Sequence, residues 1–331
     1  ADGNYNNDGA TGDKALAAGV NASAKTNNAI AIGTNASVES GTATSVSGTT
    51  TGVGSVAVGA DSSAKGTNAA AFGQKSEAFG QNSLAAGQDS HATGKSSVAI
   101  GDGAKASEGQ ATAVGVGTNA SGGGASAYGY LTQASGYLST AIGNQANAKG
   151  AHSVAISKAV AAEENTIAIG NNATANRSGN VSFGPNGGEK GEHSVIVCRS
   201  NTSCANNAVV VGTSSQATKE NTIAIGNKAV AYNTGNIVLG TNSGKINDAN
   251  NIANVGADSI LIGANAGTDS YGNAHQVAVG FNTGRYVSGT GNVAIGDNAG
   301  SGTSADRLTA SNTVALGTSA KASKNDAVAI G

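Results

Sequence analysis

The clearest feature of the chain is a short apolar segment that recurs along its whole length. In the copy Ser97–Gly101 a small polar residue is followed by an aliphatic residue, an alanine, a second aliphatic residue and a closing glycine. The same order, with small changes, recurs at Ser55–Gly59, Ser153–Ser157, Thr166–Gly170, Thr222–Gly226, Asn292–Gly296 and Ala327–Gly331. Repetition on this scale predicts an array of stacked units rather than a domain built around one centre.

The closing residues of these segments fix the repeat length. They lie fourteen residues apart at Gly59, Gly73, Gly87, Gly101, Gly115, Gly129 and Gly143. The phase continues, with one step of thirteen residues before Gly170, through Ser157, Gly170, Gly184, Cys198, Gly212, Gly226 and Gly240. Many early units carry another glycine at the half period, namely Gly66, Gly80, Gly94, Gly122, Gly136 and Gly150. Each unit therefore contains two short segments and two turns.

The apolar segment is typical of a β-strand, because it is short, rich in β-branched residues and bounded by Gly, Asn and Ser. Fourteen residues cannot hold a helix, a strand and their turns. A coiled coil is excluded because its seam needs large apolar residues, whereas Gly costs about 1 kcal/mol at each helical position. The pattern predicts an all-β fold, a parallel β-roll (β-solenoid) whose coils of about 14 residues stack at the spacing of neighbouring strands.

Composition agrees with thin coils. The 331 residues include 51 Gly and one Pro but no Met or Trp, and only 11% are charged, against about 25% in an ordinary domain. The formal net charge of −2 and the absence of a basic stripe argue against nucleic-acid binding. No signal peptide and no apolar run of membrane-helix length is present. Because the chain starts and ends within the repeat pattern, we expect it to be a piece of a longer protein.

The spacing divides one continuous solenoid into three stretches. Residues 1–54 form irregular N-terminal coils with an insertion around Glu39–Gly52, and residues 55–240 form the regular repeats. In residues 241–331 the spacing loosens to 23, 17, 16 and 21 residues, which predicts longer loops. A tight Asn/Gly turn follows the strand in these wider coils, at Thr241–Gly244, Ala264–Gly267, Phe281–Gly284 and Asp297–Gly300.

Both faces of the apolar segment lack polar side chains. In Val98-Ala99-Ile100 the valine and isoleucine share one face of the strand, and the alanine points to the other. A strand that is apolar on both faces is normally buried on both. One coil of two short strands offers only one inner face, so the second face needs another chain. The sequence therefore predicts an obligate oligomer, without specifying the number of chains.

A family resemblance rests on the repeat Ser-Val-Ala-Ile-Gly-x-x-Ala-x-Ala-x-Gly, of which Ser55–Gly66 and Ala111–Gly122 are versions. This repeat resembles the YadA-like head repeats of the trimeric autotransporter adhesins of Gram-negative bacteria, and the likeness covers essentially the whole chain. Ser157 and Cys198 depart from it at the glycine position. The resemblance implies a left-handed parallel β-roll and a homotrimer around one axis. No ligand-binding residue is carried over, because the family motif is the framework of the roll.

The same resemblance implies a function. It implies a surface-exposed adhesin head that attaches to host extracellular matrix proteins, cells or abiotic surfaces, with autoagglutination and biofilm formation. The head would stand on the bacterial cell surface, anchored in the outer membrane through segments outside this chain, and would have no membrane contact, enzyme activity or cofactor of its own. A bacteriophage tail-fibre segment is the alternative. A hexapeptide-repeat acyltransferase is excluded by the fourteen-residue period.

The few residues capable of site chemistry have structural interpretations. His152, His193 and His275 each stand five residues before a closing position, where other coils have Asn or Asp, which indicates a turn residue with positive φ. A ring of histidines binding a metal on a trimer axis is the other interpretation, and His91 stands alone. Cys198 and Cys204 are the only cysteines, and in a protein that crosses an oxidising periplasm we expect them to form a disulfide. Two free thiols remain the alternative.

Attachment could reside in two places. The loops around Glu39–Gly52, Ile246–Asp258, Asp269–His275 and Ser301–Thr309 are free to vary without disturbing the stack. Because binding residues usually sit on loops that a rigid scaffold positions, we expect these loops to shape ligand choice. Weak contacts repeated along the regular coils are the competing hypothesis.

Overall fold

Alternating three-residue and two-residue strands make up the regular structure of the protein. The computed structural model describes residues 8–39, 54–184, 195–197, 205–247, 256–270 and 275–331. Every strand pair in this described part is parallel, and its regular elements are all β-strands. Two compact units divide the chain, unit 1 (Ala1–Asn165) and unit 2 (Thr166–Gly331). The β-solenoid predicted from the repeat is confirmed.

Unit 1 contains one long and one short strand in each coil. The long strands are β1 (Leu16–Ala18), β3 (Ile30–Ile32), β5 (Val56–Val58), β7 (Ala70–Phe72), β9 (Leu84–Ala86), β11 (Val98–Ile100), β13 (Thr112–Val114), β15 (Ser126–Tyr128), β17 (Thr140–Ile142) and β19 (Val154–Ile156). The short strands are β2 (Ser23–Ala24), β4 (Ser37–Val38), β6 (Ser63–Ala64), β8 (Glu77–Ala78), β10 (His91–Ala92), β12 (Lys105–Ala106), β14 (Asn119–Ala120), β16 (Gln133–Ala134), β18 (Asn147–Ala148) and β20 (Val160–Ala161).

The register of unit 1 repeats that of the sequence. Ala99 of β11 pairs with Ala113 of β13, fourteen residues later, and Ala106 of β12 pairs with Ala120 of β14. Long strands thus stack on long strands and short on short, which gives two parallel sheets. The step from β3 to β5 spans 26 residues, since Ala31 pairs with Ala57. The predicted insertion therefore leaves the stack in register, although residues 40–53 of it lie outside the described part of the chain.

Alanine fills the interior between the two sheets. In β11 the side chain of Ala99 is fully buried, Val98 is half-buried and Ile100 is 38% exposed. Ala104 and Ala106 are also fully buried and lie on the opposite side of the coil. Because these side chains are a single methyl group, the sheets approach closely, and the larger aliphatic residues of the long strands remain on the outer face. The alanine face is therefore the inner one.

The closing glycines are required by geometry. Gly101 has φ +128°, and a Cβ at this position would lie 2.5 Å from the carbonyl oxygen of Gly115 in the next coil. Two residues later, Gly103 has φ +64°, a left-handed value that Asn and Asp accept, and its nearest neighbour would be 4.0 Å away. Only the first of these two glycines is fixed by the close approach of consecutive coils.

The thirteen-residue step has a local cause. Three residues separate β19 from β20, whereas four separate β17 from β18. Asn147 accordingly pairs with Val160, one residue earlier than the usual spacing. Ser157 occupies the closing position with φ +70°, well below the value of the closing glycines, because the shortened turn bends earlier. The departure from glycine at this position is thus linked to the missing residue.

In its described part, unit 2 has eleven long strands but only three short ones. Its long strands are β21 (Ile167–Ile169), β23 (Val181–Phe183), β24 (Val195–Val197), β25 (Val209–Val211), β27 (Ile223–Ile225), β29 (Ile237–Leu239), β30 (Ile260–Ile262), β31 (Val277–Val279), β32 (Val293–Ile295), β33 (Val314–Leu316) and β34 (Val328–Ile330). The short strands in its described part are β22 (Thr174–Ala175), β26 (Gln216–Ala217) and β28 (Val230–Ala231).

The wider coils of unit 2 stay in register through their Asn/Gly turns. Val238 pairs with Leu261 after 23 residues, and the following steps of 17, 16 and 21 residues place the alanines of β31, β32 and β33 beside one another. The turn glycines bond to the next turn at distances of 2.8–3.0 Å, from the nitrogens of Gly244, Gly267, Gly284 and Gly300. These turns therefore replace the short strands as the second stacked layer.

Larger residues replace alanine at several core positions of unit 2. Ile196, Val210, Val238 and Leu261 occupy the alanine position in four of five consecutive coils, with Ala224 between Val210 and Val238, and belong to one buried cluster. A Cβ at Gly267 would lie 2.6 Å from the Cδ1 atom of Leu261. The glycine of the Asn/Gly turn thus provides the space that a leucine needs in an interior otherwise filled by alanine.

Candidate interaction surfaces

The outer face of the long-strand sheet in unit 1 is apolar except at Thr112, Ser126 and Thr140, the first residues of β13, β15 and β17. The third residue of each long strand points outward, and large side chains at this position are 38–42% exposed: Ile32, Phe72, Ile100, Tyr128 and Ile142. The first residue of most long strands is half-buried beside them. Unit 2 shows the same face, with Val195, Val197, Ile260, Ile262 and Ile295 exposed. Single exposed apolar residues are ordinary, but a continuous row of them marks an interaction surface.

The opposite, short-strand face is polar. Glu77, His91 and Lys105 point outward from consecutive short strands. The Nδ1 atom of His91 lies 2.9 Å from a carboxylate oxygen of Glu77, and its Nε2 atom lies 3.3 Å from Asp89. The sequence suggested that His91 stands alone. In the structure it does not, because the fourteen-residue register brings the Glu77 carboxylate beside it. The long-strand face is therefore the more apolar of the two outer faces.

Histidines at turn positions behave as predicted. His152 has φ +55° and His275 has φ +61°, and the Asn and Asp residues at the same position in other coils have similar values, such as Asn68 at +54° and Asp258 at +52°. The turn interpretation is confirmed for these two histidines. His193 lies outside the described residues. Within the described ranges, no group of three or more His, Cys, Asp or Glu side chains is placed to hold a metal ion.

The loops of unit 2 are anchored at their bases. The carboxylate of Asp269 accepts bonds of 2.7 and 2.8 Å from the backbone and side chain of Asn247. Leu308 is buried and forms a parallel bridge with Val287, and the Arg307 guanidinium donates to the backbone oxygen of Asp269. The described parts of these loops are thus part of the packed structure and less free to vary than the sequence suggested, whereas residues 248–255 and 271–274 lie outside the described part of the chain.

The exposed part of the Ser301–Thr309 loop is its tip, residues 303–306. Here the nitrogen of Thr303 donates to the carbonyl of Asp306 at 2.8 Å, and the nitrogen of Asp306 donates to the Thr303 hydroxyl at 3.0 Å. The Tyr286 ring lies beside the base of this loop, with the Arg285 and Arg307 guanidinium carbons 5.1 and 5.7 Å from its centroid. A rigid tip on an aromatic and cationic base is a surface that a partner could contact.

Comparison with protein families identifies the repeat. The model of the YadA head domain repeat (2 copies) matches residues 10–36, 51–76, 78–104, 134–156, 157–186, 205–229, 217–243 and 309–331, which together make up more than half of the chain. The chain belongs to the YadA head-repeat family. The resemblance seen in the sequence is confirmed. A search of curated proteins found no match.

Membership of the YadA head-repeat family supports a general statement of function. This is a family of adhesin heads displayed at the cell surface, not a family of enzymes, and it does not favour the tail-fibre alternative. The matched ranges include the regular coils and the last coils, which is why one repeat model spans both units. Within the part of the chain that the structure describes, no helix is long and apolar enough to cross a membrane.

Two sequence-based predictions about the YadA head repeats remain open. Cys198 and Cys204 lie outside the described residues, so their disulfide stays a prediction. The division into residues 1–54, 55–240 and 241–331 likewise stays a prediction.

One small cavity occurs among the described residues of unit 2, beside Asn236, Ser259 and Gln276. The polar groups around it are bonded within the chain: Asn236 accepts from the Ser259 nitrogen at 3.0 Å, and the Gln276 amide donates to the Gly284 carbonyl at 3.2 Å. This pattern is that of a core satisfying its own polar groups rather than a ligand site. Interaction by the YadA head repeats is therefore a matter of surfaces.

Sequence reasoning did not single out one feature of this surface. Tyr130-Leu131 and Tyr137-Leu138 occupy the two turns of one coil, and all four side chains are exposed. Other coils of unit 1 have Asn, Asp, Lys, Ser, Gln, His or Gly at the positions of the two leucines. A signal was present in the sequence, since leucine is a poor choice for a turn residue with positive φ.

Proposed function

We propose that the chain is the head of a left-handed, homotrimeric adhesin on the bacterial cell surface, anchored in the outer membrane through segments outside this chain. Its role is attachment to host extracellular matrix proteins, cells or abiotic surfaces, and autoagglutination and biofilm formation are consequences of the same contacts. Membership of the YadA head-repeat family carries this proposal.

The outer face of the long strands supports the assembly. In β11, Ile100 leaves 38% of its surface in water although every neighbouring coil also presents an apolar residue there. Burying such a row stabilises an assembly by roughly 25 cal/mol for each Å² of apolar surface removed from water. Three chains that turn this face toward a common axis cover it completely, while the polar short-strand faces remain in water.

The outward surface supports adhesion by repetition. Each chain presents the same coil many times, and a trimer presents it three times over. Weak contacts that are joined in one rigid body gain strength through effective concentration. The anchored loop tip at residues 303–306 adds one surface that differs from the regular coils.

An adhesion assay with matched variants tests the proposal and locates the contact. Beads coated with the protein are measured on a panel of matrix proteins, on cultured cells and on bare polystyrene. One variant places lysine at Ser304 and Ala305 in the exposed loop tip, and its control places lysine at Ser107 and Glu108, which are exposed in a regular coil. We expect the parent to adhere and the tip variant to lose selectivity among ligands, with both variants melting like the parent.

The two variants separate the hypotheses. Loss of adhesion only in the Ser107/Glu108 variant would show that the regular coil surface is the adhesive one. A folded parent that neither adheres to any surface of the panel nor agglutinates its beads would overturn the adhesin proposal.

A further inference from the structure

Two exposed apolar turns lie in a single coil of unit 1. The first apolar turn (Tyr130–Leu131) follows β15, and the second apolar turn (Tyr137–Leu138) precedes β17. The tyrosines are 52% and 59% exposed and the leucines 42% and 46% exposed. Each isolated residue would be unremarkable in itself, but the two doublets sit at equivalent positions of the two turns. The chain itself covers them only in part: the His152 ring lies edge-on to the Tyr137 ring at 5.7 Å between centroids, and each of the four residues still leaves more than 40% of its surface in water.

The backbone shows that these leucines are not placed for local stability. Leu131 has φ +50° and Leu138 has φ +52°, in the left-handed region that Asn, Asp and Gly accept far more readily. Strained positions of this kind persist where the residue has another role. Stability alone would favour a polar turn residue here, as Gln145 and His152 show at the matching positions of the next coil.

The preceding coil is shaped to receive the same side chains. A Cβ at Gly117 would lie 2.7 Å from the Cδ2 atom of Leu131, and one at Gly124 would lie 2.6 Å from the Cδ2 atom of Leu138. A Cβ at Gly123 would lie 3.3 Å from the Tyr137 ring. Glycines thus leave room at both turns for the leucines and tyrosine to lie along the edges of the stack, where a neighbouring surface can contact them.

The position of the two turns defines what can reach them. One turn follows a long strand and the other precedes a long strand, so they lie at the two opposite ends of the strands that form the apolar outer face. They are seven residues apart, half a coil, which corresponds to about 2.4 Å of rise at the strand spacing. In a closed ring of identical chains each interface is heterologous, so one edge of a chain meets the other edge of its neighbour at nearly the same height.

We propose that the first apolar turn of one copy packs against the second apolar turn of the next copy, and that this contact fixes the axial register of the assembly. The inference rests on the proposed homotrimer. The partner is a second copy of this chain, because the two apolar turns lie at opposite ends of the long strands and can supply the two halves of one interface. Three copies in a ring then cover all six apolar turns.

Register is a real difficulty for such an assembly. The third residues of successive long strands are all apolar, as Ile100, Val114 and Tyr128 illustrate. A shift of one chain by one coil, about 4.8 Å, would still place apolar side chains against apolar side chains. Repetitive faces specify register weakly, whereas a unique position specifies it well. The coil with the two apolar turns supplies that unique position.

Cysteine crosslinking tests the contact in the full chain. Tyr130→Cys and Tyr137→Cys are combined, the protein is oxidised with diamide, and the products are separated under denaturing, non-reducing conditions. We expect a covalent trimer from the double variant and none from either single variant, because two cysteines must approach to within about 7 Å between Cα atoms. All variants retain Cys198 and Cys204, so the single variants control for these thiols.

A matched pair separates this proposal from the homotrimer itself. Gln74 and Gln81 occupy the equivalent turn positions of a polar coil, so Gln74→Cys with Gln81→Cys reports edge contact in any in-register trimer. Gln74→Cys with Lys95→Cys reports a slip by one coil. Both pairs are compared in the parent and in the Leu131→Asn/Leu138→Asn background. Asparagine suits the left-handed backbone, so this background keeps the fold intact.

The expected result is that Leu131→Asn/Leu138→Asn weakens trimer association at least tenfold and increases the slip crosslink, while the β-type circular dichroism spectrum of the chain stays unchanged. If trimer association and the yield of the slip crosslink are both unchanged while the Gln74/Gln81 crosslink still forms, the register proposal is wrong but the homotrimer stands. Loss of adhesion without any change in assembly would also overturn it, since the turns would then bind an external partner. A folded monomer with no crosslink of any kind would overturn the homotrimer as well.

Discussion

At the residue scale, the fold depends on which side chains are small. Ala99 is fully buried between two sheets, and the atoms that surround it belong to neighbouring backbones and other alanines. A larger side chain has no space there, and a charged one has no partner. Larger side chains occupy the alanine position at Ile196, Val210, Val238 and Leu261 of unit 2, and the last of these lies beside Gly267 of an Asn/Gly turn.

The first prediction contrasts an inner and an outer position. Ala99→Glu places a charge in the alanine interior and should cost several kcal/mol of unfolding free energy, enough to lower the melting temperature sharply. Lys105→Glu is the control. Lys105 points outward from β12, because it alternates with buried Ala106. Glu77 occupies the same outward position two coils earlier, so the control should be nearly silent. Equal melting temperatures for the two variants would contradict the assigned faces.

The second prediction contrasts two glycines of one turn. Gly101→Asn puts a side chain at φ +128° with its Cβ 2.5 Å from the Gly115 carbonyl, so the coils must separate and the chain should lose several kcal/mol of stability. Gly103→Asn places the same residue at φ +64°, where Asp89 stands in the preceding coil at +51°, and should change stability by less than about 0.5 kcal/mol. Chemical denaturation measures both. A Gly101→Asn variant as stable as Gly103→Asn would show that the close approach is unimportant.

At the scale of the elements, strands of two or three residues have little stability alone and depend on the coils above and below. Interactions between consecutive coils therefore matter more than interactions within one. Lys25 follows β2 and Glu39 follows β4, and their side chains form an ion pair of 3.0 Å across the two coils. The hydrogen bond from Lys25 lowers the pKa of the Glu39 carboxyl below its ordinary value.

The third prediction follows from that pKa. Because the folded pKa is lowered, the stabilisation is present above the ordinary carboxyl pKa and is lost as the pH falls through the folded pKa. Lys25→Met should raise the Glu39 midpoint in an NMR titration, and the melting temperature of this variant should fall less on acidification than that of the parent. Lys65→Met, which removes a weaker and more distant charge, is the control and should shift the midpoint less. Identical midpoints in all three proteins would contradict the coil-to-coil ion pair.

The elements also show how far the sequence predicts the structure. The closing glycines predict the register of the coils that they end, because the close approach of consecutive backbones leaves no room for a side chain there. The steps of 26 and 23 residues were predicted for the same reason. The Glu77 carboxylate beside His91 and the anchoring of Asp269 by Asn247 were not predicted. Both contacts join residues of different coils and depend on side-chain conformations, which the spacing of the glycines does not specify.

At the scale of the whole molecule, the two faces of each long strand have different uses. The alanine face closes the interior of one chain, and the outer face remains apolar in both units. A chain that left this face in water would associate through it, and the family match indicates a head of adhesin type. We therefore expect other copies of the chain to cover this face, and we expect adhesion to reside on the remaining surface.

Sedimentation equilibrium of the protein over a range of concentrations tests whether other copies of the chain cover this face. We expect a single species of about three times the chain mass of 31.5 kDa. We also expect Ile100→Lys, on the outer face of β11, to shift the population toward smaller species. A parent protein that sediments at 31.5 kDa while retaining a cooperative melting transition would show that the single chain folds stably with its outer face in water, and that no other copy is needed to cover it.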